Sequence, residues 1–332
     1  MSAPSPTPAI SVAMSVYNNA PFLREAIESI QAQSFGDFEF LIVNDGSTDG
    51  SAEIIDSYAQ RDPRVRAIHQ ENRGLVASLN RLIGEAQAPL IARMDGDDVA
   101  VPERFARQIE FLAANSDHGV VGAWATSIDE QGRNCDTGGL DQPTTHQGFL
   151  DALKDKPLMC HSSVMMRTEV VRSVGGYRAA FKHCEDYDLW LRLSERTRLC
   201  SLPERLILYR YSDGQISERH ILTQAVGAAV AWLAHVEREA GRPDPIEGLE
   251  QLPPVGELDS LFGRAGIDRA VREMVAPRIV YSPVALGGPG YELVLSHVRD
   301  GARDGMWKTA ARLLRFGKPV RALKLATALV AA

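Results

Sequence analysis

The chain has 332 residues, of which 45% are hydrophobic and 24% are charged, an ordinary composition for a folded globular protein. This length suits one large domain or two smaller ones and can bury a sizeable core. The formal net charge of -7 argues against a general nucleic-acid-binding protein. No stretch of the sequence is apolar over the length needed to span a bilayer.

Cysteine usage and the N-terminus both favour a cytosolic protein. The four cysteines show no CxxC spacing, which indicates reduced thiols. Residues 1–8 lack the basic and apolar regions of a signal peptide, and we expect them to be a flexible N-terminus.

The first half of the chain alternates predicted strands with predicted helices. The strands are expected at Ile10–Val16, Phe38–Asn44, Val65–His69, Leu90–Met94 and Gly119–Trp124. The helices are expected at Pro21–Gln33, Ser51–Gln60, Leu75–Glu85 and Pro102–Ala114. Such alternation predicts an α/β fold with a parallel sheet covered by helices on both faces.

The pattern loosens after about residue 128, where glycines and prolines become frequent. Strands are then predicted at Cys160–Arg167 and Arg205–Tyr211, with a helix at Asp186–Ser194 between them. Beyond residue 218 the sequence is mainly helical in character. We therefore expect a domain at 9–217, composed of halves at 9–127 and 128–217, and a helical region at 218–332.

The segment Arg93–Asp98 (RMDGDD) places three carboxylates within four residues, directly after a predicted strand. Ligands bind at the carboxyl edge of open α/β sheets, so these side chains are candidates for a binding site. Carboxylates this close repel one another and favour a nearby cation, such as Mg²⁺ carrying a diphosphate. The alternative is a solvated acidic turn with Gly96 at its tip.

The first strand ends in Val16-Tyr17-Asn18-Asn19, without the glycines of a dinucleotide-binding turn. This absence argues against an NAD-dependent enzyme. Tyr17 could stack on a nucleotide base, or it could be a partly buried tyrosine at a strand end.

The second strand ends in Asp45-Gly-Ser-Thr-Asp49-Gly-Ser51, which partly matches a calcium-binding EF-hand loop. The match fails because position 12 is Asp56 rather than glutamate and because a strand precedes the loop. We interpret it as a strand-to-helix turn in which Asp49 or Ser51 caps the next helix. Asp45 could then accept a hydrogen bond from a base or a ribose.

Four more polar residues are candidates, each with a purely structural alternative. Arg73 could pair with a diphosphate or a base edge, or could be solvated at a helix start. Glu185 and Asp186 could supply a general base, although acidic residues are favoured at a helix N-terminus in any case. His161, predicted on a strand, could line the site or belong to the core.

Six segments, taken in order, resemble family-2 glycosyltransferases of the GT-A fold. They are Ser11–Asn18, Phe40–Asp49, Asn72–Gly74, Ala92–Asp98, His161–Ser163 and Glu185–Trp190. The resemblance covers roughly residues 9–217. It implies a Rossmann-like, mostly parallel central sheet flanked by helices, followed by a helical C-terminal extension.

The resemblance also implies an activity. The expected reaction is an inverting transfer of a sugar from a nucleotide-diphosphate donor, with a UDP-sugar favoured, to an acceptor hydroxyl. The expected cofactor is Mg²⁺ or Mn²⁺. The acceptor would be a saccharide or lipid-linked saccharide, in bacterial envelope or exopolysaccharide synthesis. Residues 9–127 would bind the nucleotide and residues 128–217 the acceptor.

Roles for individual residues follow from the same resemblance. Asp95 and Asp97 would form the DxD metal pair, with Asp97 the direct ligand. Asp186 would be the catalytic base, with Glu185 beside it. The donor would be held by six residues: Tyr17, Asp45, Arg73, Arg93, Asp95 and His161. Many relatives place a histidine near the metal where this chain has Ser212.

Two other functions compete with this interpretation. One is a catalytically silent sugar-nucleotide-binding or scaffold protein of a polysaccharide assembly, which would have no chemical need for the intact DxD and Glu-Asp motifs. The other is a nucleotidyltransferase, which usually carries a glycine-rich, basic loop after the first strand. The segment Val16–Phe22 is neither glycine-rich nor basic.

The tail at 305–332 carries six basic residues, no acidic residue and many interspersed apolar ones. A basic amphipathic helix of this kind can lie on an anionic membrane surface, with a break expected near Gly317–Pro319. The alternative is a helix packed on the domain, with its cations solvated or facing the acidic body. We expect a cytoplasmic protein, peripheral on the inner face of the cytoplasmic membrane if the tail binds lipid.

Overall fold

The computed structural model describes residues 7–135, 141–154, 159–211 and 220–331. The strands are β1 Ile10–Val16, β2 Phe38–Asp45, β3 Val65–Gln70, β4 Leu90–Asp95, β5 Val99–Ala100, β6 His118–Ile128, β7 Met165–Arg167 and β8 Arg198–Arg210. The first helices are α1 Ala20–Gln31, α2 Ser51–Ala59, α3 Leu75–Glu85, α4 Arg104–Ala114, α5 His146–Ala152, α6 Thr168–Ser173 and α7 Glu185–Ser194. The later helices are α8 Ile221–Glu239, α9 Leu258–Leu261, α10 Ile267–Ile279, α11 Pro283–Gly287, α12 Gly290–Arg299, α13 Met306–Arg315 and α14 Pro319–Ala331.

All eight strands form one sheet in the order β3-β2-β1-β4-β7-β6-β8-β5. The pairs β2–β3, β1–β2 and β1–β4 are parallel, as is β6–β8. The short strands β7 and β5 pair antiparallel with their neighbours. The predicted α/β fold with a mostly parallel sheet and C-terminal helices is therefore confirmed.

The central strands are apolar almost throughout because helices cover both faces of the sheet. Ile10, Val12 and Met14 of β1 are fully buried. In the parallel register, Ser15 lies beside Asp95 of β4, and Val16 lies beside Asn44 of β2. The carboxyl ends of three strands, each followed by a polar loop, therefore meet at one edge of the sheet.

Helix α1 shows how the layers are held together. Its apolar residues Leu23, Ile27 and Ile30 recur at a spacing of three or four and face the core. Burying each such side chain contributes about 1.5–3 kcal/mol relative to exposure. The helix ends at Gln31, two residues before the end that the sequence predicts.

The prediction of one continuous strand at Cys160–Arg167 is wrong. Residues His161–Ser163 form a 3₁₀ turn, and only Met165–Arg167 is a strand. The backbone amide of Ser163 donates to the carbonyl oxygen of Cys160 at 2.9 Å, and its hydroxyl donates to the same oxygen at 2.7 Å. Local bonds of this kind compete with strand pairing, so His161 lies on a turn and not on a strand.

The chain forms two compact units, one of residues 1–178 with 189–212 and one of residues 179–188 with 213–332. The expected boundary near residue 217 stays a prediction. The second unit is built mainly from α8 to α14. Among the helices that the structure describes, none is long and apolar enough to cross a membrane.

Candidate active site

Three carboxylates gather at the sheet edge, as the acidic loop predicts. Asp95 is the last residue of β4, and Asp97 and Asp98 lie in the turn before β5. One carboxylate oxygen from each residue lies within 4.8 Å of the others. Asp98 is only 1% exposed, whereas Asp95 and Asp97 are partly exposed. The solvated-turn alternative does not describe this loop.

Ser162 and Arg93 contact the carboxylates of the acidic cluster and hold them in place. The hydroxyl of Ser162 is 2.7 Å from Oδ2 of Asp95 and also contacts Oδ2 of Asp98. Nη1 of Arg93 donates to the same hydroxyl oxygen at 3.0 Å and forms an ion pair with Asp95. Arg93 is 3% exposed, and its positive charge is paired with the Asp95 carboxylate.

The three carboxyl groups differ in acidity because their surroundings differ. Burial opposes ionisation of Asp95, but the charge and hydrogen bonds of Arg93 hold the pKa of Asp95 below its ordinary value. Burial and the charge of Asp95 raise the pKa of Asp97 to about 6. Burial and both neighbouring carboxylates raise the pKa of Asp98 well above its ordinary value. Each carboxyl group therefore opposes the ionisation of its neighbours, and full ionisation of the cluster is unfavourable without a cation.

Arg210, at the end of β8, fixes the far side of the loop. Its backbone amide donates to Oδ1 of Asp98 at 2.8 Å, and Nε donates to the carbonyl oxygen of Asp97 at 2.8 Å. Nη2 pairs with Glu25 of α1 at 2.6 Å. These contacts hold the part of the loop that follows Gly96.

The donor set fits a hard divalent cation. It consists of carboxylate oxygens alone, the ligand type that Mg²⁺ and Mn²⁺ prefer. Within the described part of the chain, it is the one group of three His, Cys, Asp or Glu side chains close enough to hold a metal. A bound cation would also relieve the mutual repulsion that helps to raise the pKa values of Asp97 and Asp98.

The loop after β2 is organised by Asp45. This carboxylate is 2% exposed and accepts hydrogen bonds from the amide of Arg73 at 2.8 Å and that of Gly74 at 2.9 Å. A third bond comes from Nε2 of Gln70 at 2.7 Å. Asp45 therefore holds the 72–74 loop at the sheet edge, while the Arg73 side chain is exposed.

The loop after β1 completes this edge. Asn18 adopts a positive φ of 55°, and its side-chain oxygen accepts a hydrogen bond from the amide of Thr48 at 2.8 Å. The amide of Asn18 in turn donates to the Ser47 hydroxyl at 3.0 Å. Tyr17 is 53% exposed, so its ring is accessible to a ligand.

His161 is held rigidly beside the acidic cluster. Its Nε2 lies 2.6 Å from the hydroxyl of Tyr177, and its ring packs edge-on against Trp190 at 5.9 Å between centroids. Burial and the charge of Arg93 lower the pKa of His161 well below its ordinary value, so the imidazole is neutral at pH 7.

Glu185 and Asp186 occupy the first turn of α7, as predicted. Glu185 is buried, whereas Asp186 is partly exposed and accepts a hydrogen bond from the Tyr187 amide at 2.7 Å. Both residues belong to the second compact unit. Ser212, at the position where many relatives have a histidine near the metal, lies outside the described residues.

Sequence reasoning did not assign three residues that shape the site. Ser162 lies inside the family-like segment His161–Ser163, and Arg210 lies two residues before Ser212, the position where many relatives have a histidine. The third, Arg104, is fully buried, and its Nη2 donates to the carbonyl oxygen of Arg93 at 2.8 Å. Nothing in the amphipathic pattern of α4 distinguishes it from a solvated arginine.

Comparison with known proteins shows which family this sequence is similar to. The family model described as glycosyl transferase family 2 matches residues 11–175. The putative glycosyltransferase EpsE of Bacillus subtilis is 36% identical over 228 residues, which are 67% of this chain and 80% of that protein. The O-antigen biosynthesis glycosyltransferase WbnJ of Escherichia coli is 33% identical over 205 residues, which are 60% and 79% of the two chains.

Solved structures share the fold at low sequence identity. S. aureus TarS 1–349 in complex with UDP superposes with a TM-score of 0.57 at 15% identity, covering 96% of this chain and 88% of that one. The mannosyltransferase PcManGT from Pyrobaculum calidifontis, in complex with GDP-Man and Mn²⁺, gives 0.52 at 15% identity, covering 98% and 88%. The motifs of the present chain, its GT-A fold and its relatives together show that this chain is a glycosyltransferase and belongs to glycosyl transferase family 2.

Proposed function

We propose that the protein catalyses a metal-dependent, inverting transfer of a sugar from a nucleotide-diphosphate donor to an acceptor hydroxyl. The observation that carries this proposal is the three-carboxylate cluster at the end of β4, whose oxygen atoms lie within 4.8 Å of one another. A sugar-nucleotide diphosphate is an anion that such a cluster would repel unless a divalent cation lay between them.

Asp97 and Asp95 would hold Mg²⁺ or Mn²⁺, with Asp97 as the direct ligand. When bound, the ion would act as a Lewis acid that stabilises the negative charge on the departing diphosphate. Ser162 and Arg93 would keep Asp95 ionised and oriented beneath it. Arg210 would maintain the backbone of the loop so that the Asp97 side chain stays at the sheet edge.

The donor nucleoside would occupy the edge formed by the loops after β1, β2 and β3. The exposed ring of Tyr17 is suited to stacking on a base, and the exposed guanidinium of Arg73 is suited to pairing with the diphosphate. Asp45, through its bonds to the 72–74 loop, would keep Arg73 in place. We assign Arg93 and His161 to the donor side as supporting residues, because both are held next to Asp95.

Asp186 is the proposed general base. It would take the proton from the acceptor hydroxyl during in-line attack, a contribution on the order of 10²- to 10⁴-fold in rate. The partial exposure of Asp186 and its place in the first turn of α7 support this assignment, and Glu185 is its buried neighbour.

The decisive experiment combines a donor screen with Asp186→Asn. UDP-, GDP- and dTDP-sugars are tested for release of nucleoside diphosphate with Mg²⁺ or Mn²⁺, and we expect a UDP-sugar to be used. Asp186→Asn should bind the nucleotide as the wild type does but lose at least about a hundredfold in transfer rate. Release of pyrophosphate, or full activity in the variant, would contradict the proposal.

A saccharide or lipid-linked saccharide of envelope or exopolysaccharide synthesis is the proposed acceptor. Support comes from the name of the relative WbnJ, which places that protein in O-antigen biosynthesis. Assays with membrane-extracted acceptors would test this assignment.

We also propose that the tail docks on an anionic membrane surface. Helices α13 and α14 bury one face each but expose Trp307, Leu314, Val320 and Leu323 on the other. None of the six tail cations has a carboxylate within 4.0 Å among the described residues. A second copy of this chain would bring the same positive face against itself in a two-fold contact, which charge repulsion disfavours. Flotation with anionic liposomes, with and without residues 305–332, tests the docking; equal flotation would exclude it.

A further inference from the structure

The second compact unit has a cavity, open to solvent on one side, that the proposed transfer reaction does not use. Its volume is about 680 Å³. Its walls are the end of α10 with Tyr281, the loop between α12 and α13 at residues 301–305, and the first half of α13. A cavity of this size falls within the range of small-molecule sites, roughly 300–1,000 Å³.

Most of the charged side chains that line this cavity are basic. Arg303, Lys308 and Arg312 contribute three positive charges, and Asp304 contributes one negative charge. None of the three cations has a carboxylate partner within 4.0 Å among the residues that the structure describes. Three unneutralised cations around one concave space concentrate positive potential there.

Two further features point to a polar, anionic occupant. The guanidinium of Arg312 lies 4.0 Å from the centroid of the Tyr281 ring, a stacked arrangement that orients its donors. Nδ1 of His297, which also lines the cavity, is buried and has no hydrogen-bond partner within the described ranges. Buried polar atoms are normally satisfied, so a ligand or a water would be expected to meet this one.

The N-terminus of α13 adds to the positive electrostatic potential in the cavity. Gly305, Met306 and Lys308 line the cavity and belong to the cap and first turn of this ten-residue helix. First-turn amide groups have no acceptor within their own helix, and the helix dipole is positive at this end. Anions, and phosphates in particular, bind at such positions.

We infer that this cavity binds a phosphate-bearing ligand, with a phosphomonoester or diphosphate group held by Arg303, Lys308 and Arg312. A planar guanidinium fork and an ammonium point charge together suit a multiply charged phosphate better than a single carboxylate. The cavity is larger than a phosphate ion, so it has room for the group that carries the phosphate. This site is separate from the acidic cluster and does not depend on the proposed transfer reaction.

The test compares two exposed tail lysines in the full-length protein. Lys308→Glu reverses a charge in the cavity, and Lys318→Glu reverses one outside it. Both changes put an acid at the start of a helix, where the dipole favours it, so neither should unfold the protein. Thermal melts of the two variants check this.

The probe is inorganic pyrophosphate, titrated by calorimetry without divalent metal. Wild type and Lys318→Glu should bind it with affinities within about twofold of each other, because Lys318 lies outside the cavity. Lys308→Glu should bind about tenfold or more weakly, the loss expected for one charge-assisted contact. Arg312→Lys, which keeps the charge but removes the fork, should weaken binding by a smaller factor. Failure of the wild type to bind, or equal affinities for Lys308→Glu and Lys318→Glu, would overturn the inference.

Vesicles identify the source of the phosphate. Flotation is measured with phosphatidylcholine vesicles that carry either phosphatidic acid, which presents a phosphomonoester, or phosphatidylglycerol at equal charge. Selective loss of phosphatidic-acid binding in Lys308→Glu would support a lipid headgroup as the ligand. Loss of pyrophosphate binding alone, with the two variants floating equally, would support a soluble phosphorylated ligand.

Discussion

Gly46→Ala should destabilise the first compact unit and disturb the donor edge of the proposed site. Gly46 follows Asp45 and has a φ of +73°, in the left-handed region that favours glycine. A Cβ atom at this position would lie 2.8 Å from the backbone nitrogen of Asn72, closer than real Cβ contacts occur. The obstruction is backbone, so the 72–74 loop must move away from Asp45.

Two contributions set the size of the effect. An alanine in the left-handed region costs about 1–2 kcal/mol, and relief of a close packing overlap costs about 1–3 kcal/mol more. The total of roughly 2–5 kcal/mol, divided by a urea slope of about 2 kcal/mol per molar, lowers the unfolding midpoint by roughly 1–2.5 M.

Gly50→Ala is the matched control. Gly50 lies in the same loop with a φ of +90°, but a Cβ there would meet nothing within 4 Å. It should therefore lose only the backbone contribution of about 1–2 kcal/mol. Urea unfolding of the two variants, followed by tryptophan fluorescence, measures the difference. Equal midpoints would show that the contact between Gly46 and the 72–74 loop is unimportant and would refute this reasoning.

Three more predictions concern carboxylates and their partners. Asp97→Ala should abolish most Mn²⁺-dependent nucleotide binding in calorimetry, and unchanged affinity would remove Asp97 from the metal site. Ser162→Ala should lower stability by about 1–3 kcal/mol, because it removes one hydrogen-bond partner each from Arg93, Asp95 and Asp98; an unchanged melting temperature would contradict this role. Hydrogen bonds from Arg64 hold the pKa of Asp62 at about 2, so the stability it provides is present above pH 4 and lost as the pH falls towards 2. Asp62→Asn should be less sensitive to acid than the wild type in that window, and an identical pH profile would exclude this contribution.

The parallel half of the sheet was predictable from the sequence because its strands are buried on both faces. The apolar runs of β1, β2 and β4 end in polar turns, and such runs indicate strands wherever helices cover both faces. The same logic placed Asp45 and Asp95 at one edge. The two-residue strand β5 is too short to show any periodicity in the sequence. The sequence predicts one strand across β7 and the turn at His161–Ser163, because the whole segment is apolar enough for a strand.

The supporting charges of the site could not be predicted in the same way. Arg104 occupies a position on an amphipathic helix where an arginine is usually solvated, yet it is fully buried and donates to the backbone carbonyl oxygens of Arg93 and Val164. The role of Arg210 depends on where β8 ends relative to the acidic loop, and long-range pairing of that kind is not encoded in local pattern. Similarly, the sequence suggests that Asp45 contacts a ligand, and only the structure reveals its hydrogen bonds with the amides of the 72–74 loop.

The contacts of Asp98 can form only late in the synthesis and folding of the chain. This carboxylate is held by Ser162, 64 residues later in the chain, and by the amide of Arg210, 112 residues later. Contacts between such distant residues form late because long loops must close first. At a synthesis rate of about 5–20 residues per second, Arg210 leaves the ribosome roughly 5–20 seconds after Asp98. During that interval, and in any truncated chain that lacks β8, the DGDD sequence is present while its amide contact from Arg210 is not. The arrangement of the acidic cluster therefore requires the completed first compact unit, and the DGDD sequence alone does not produce it.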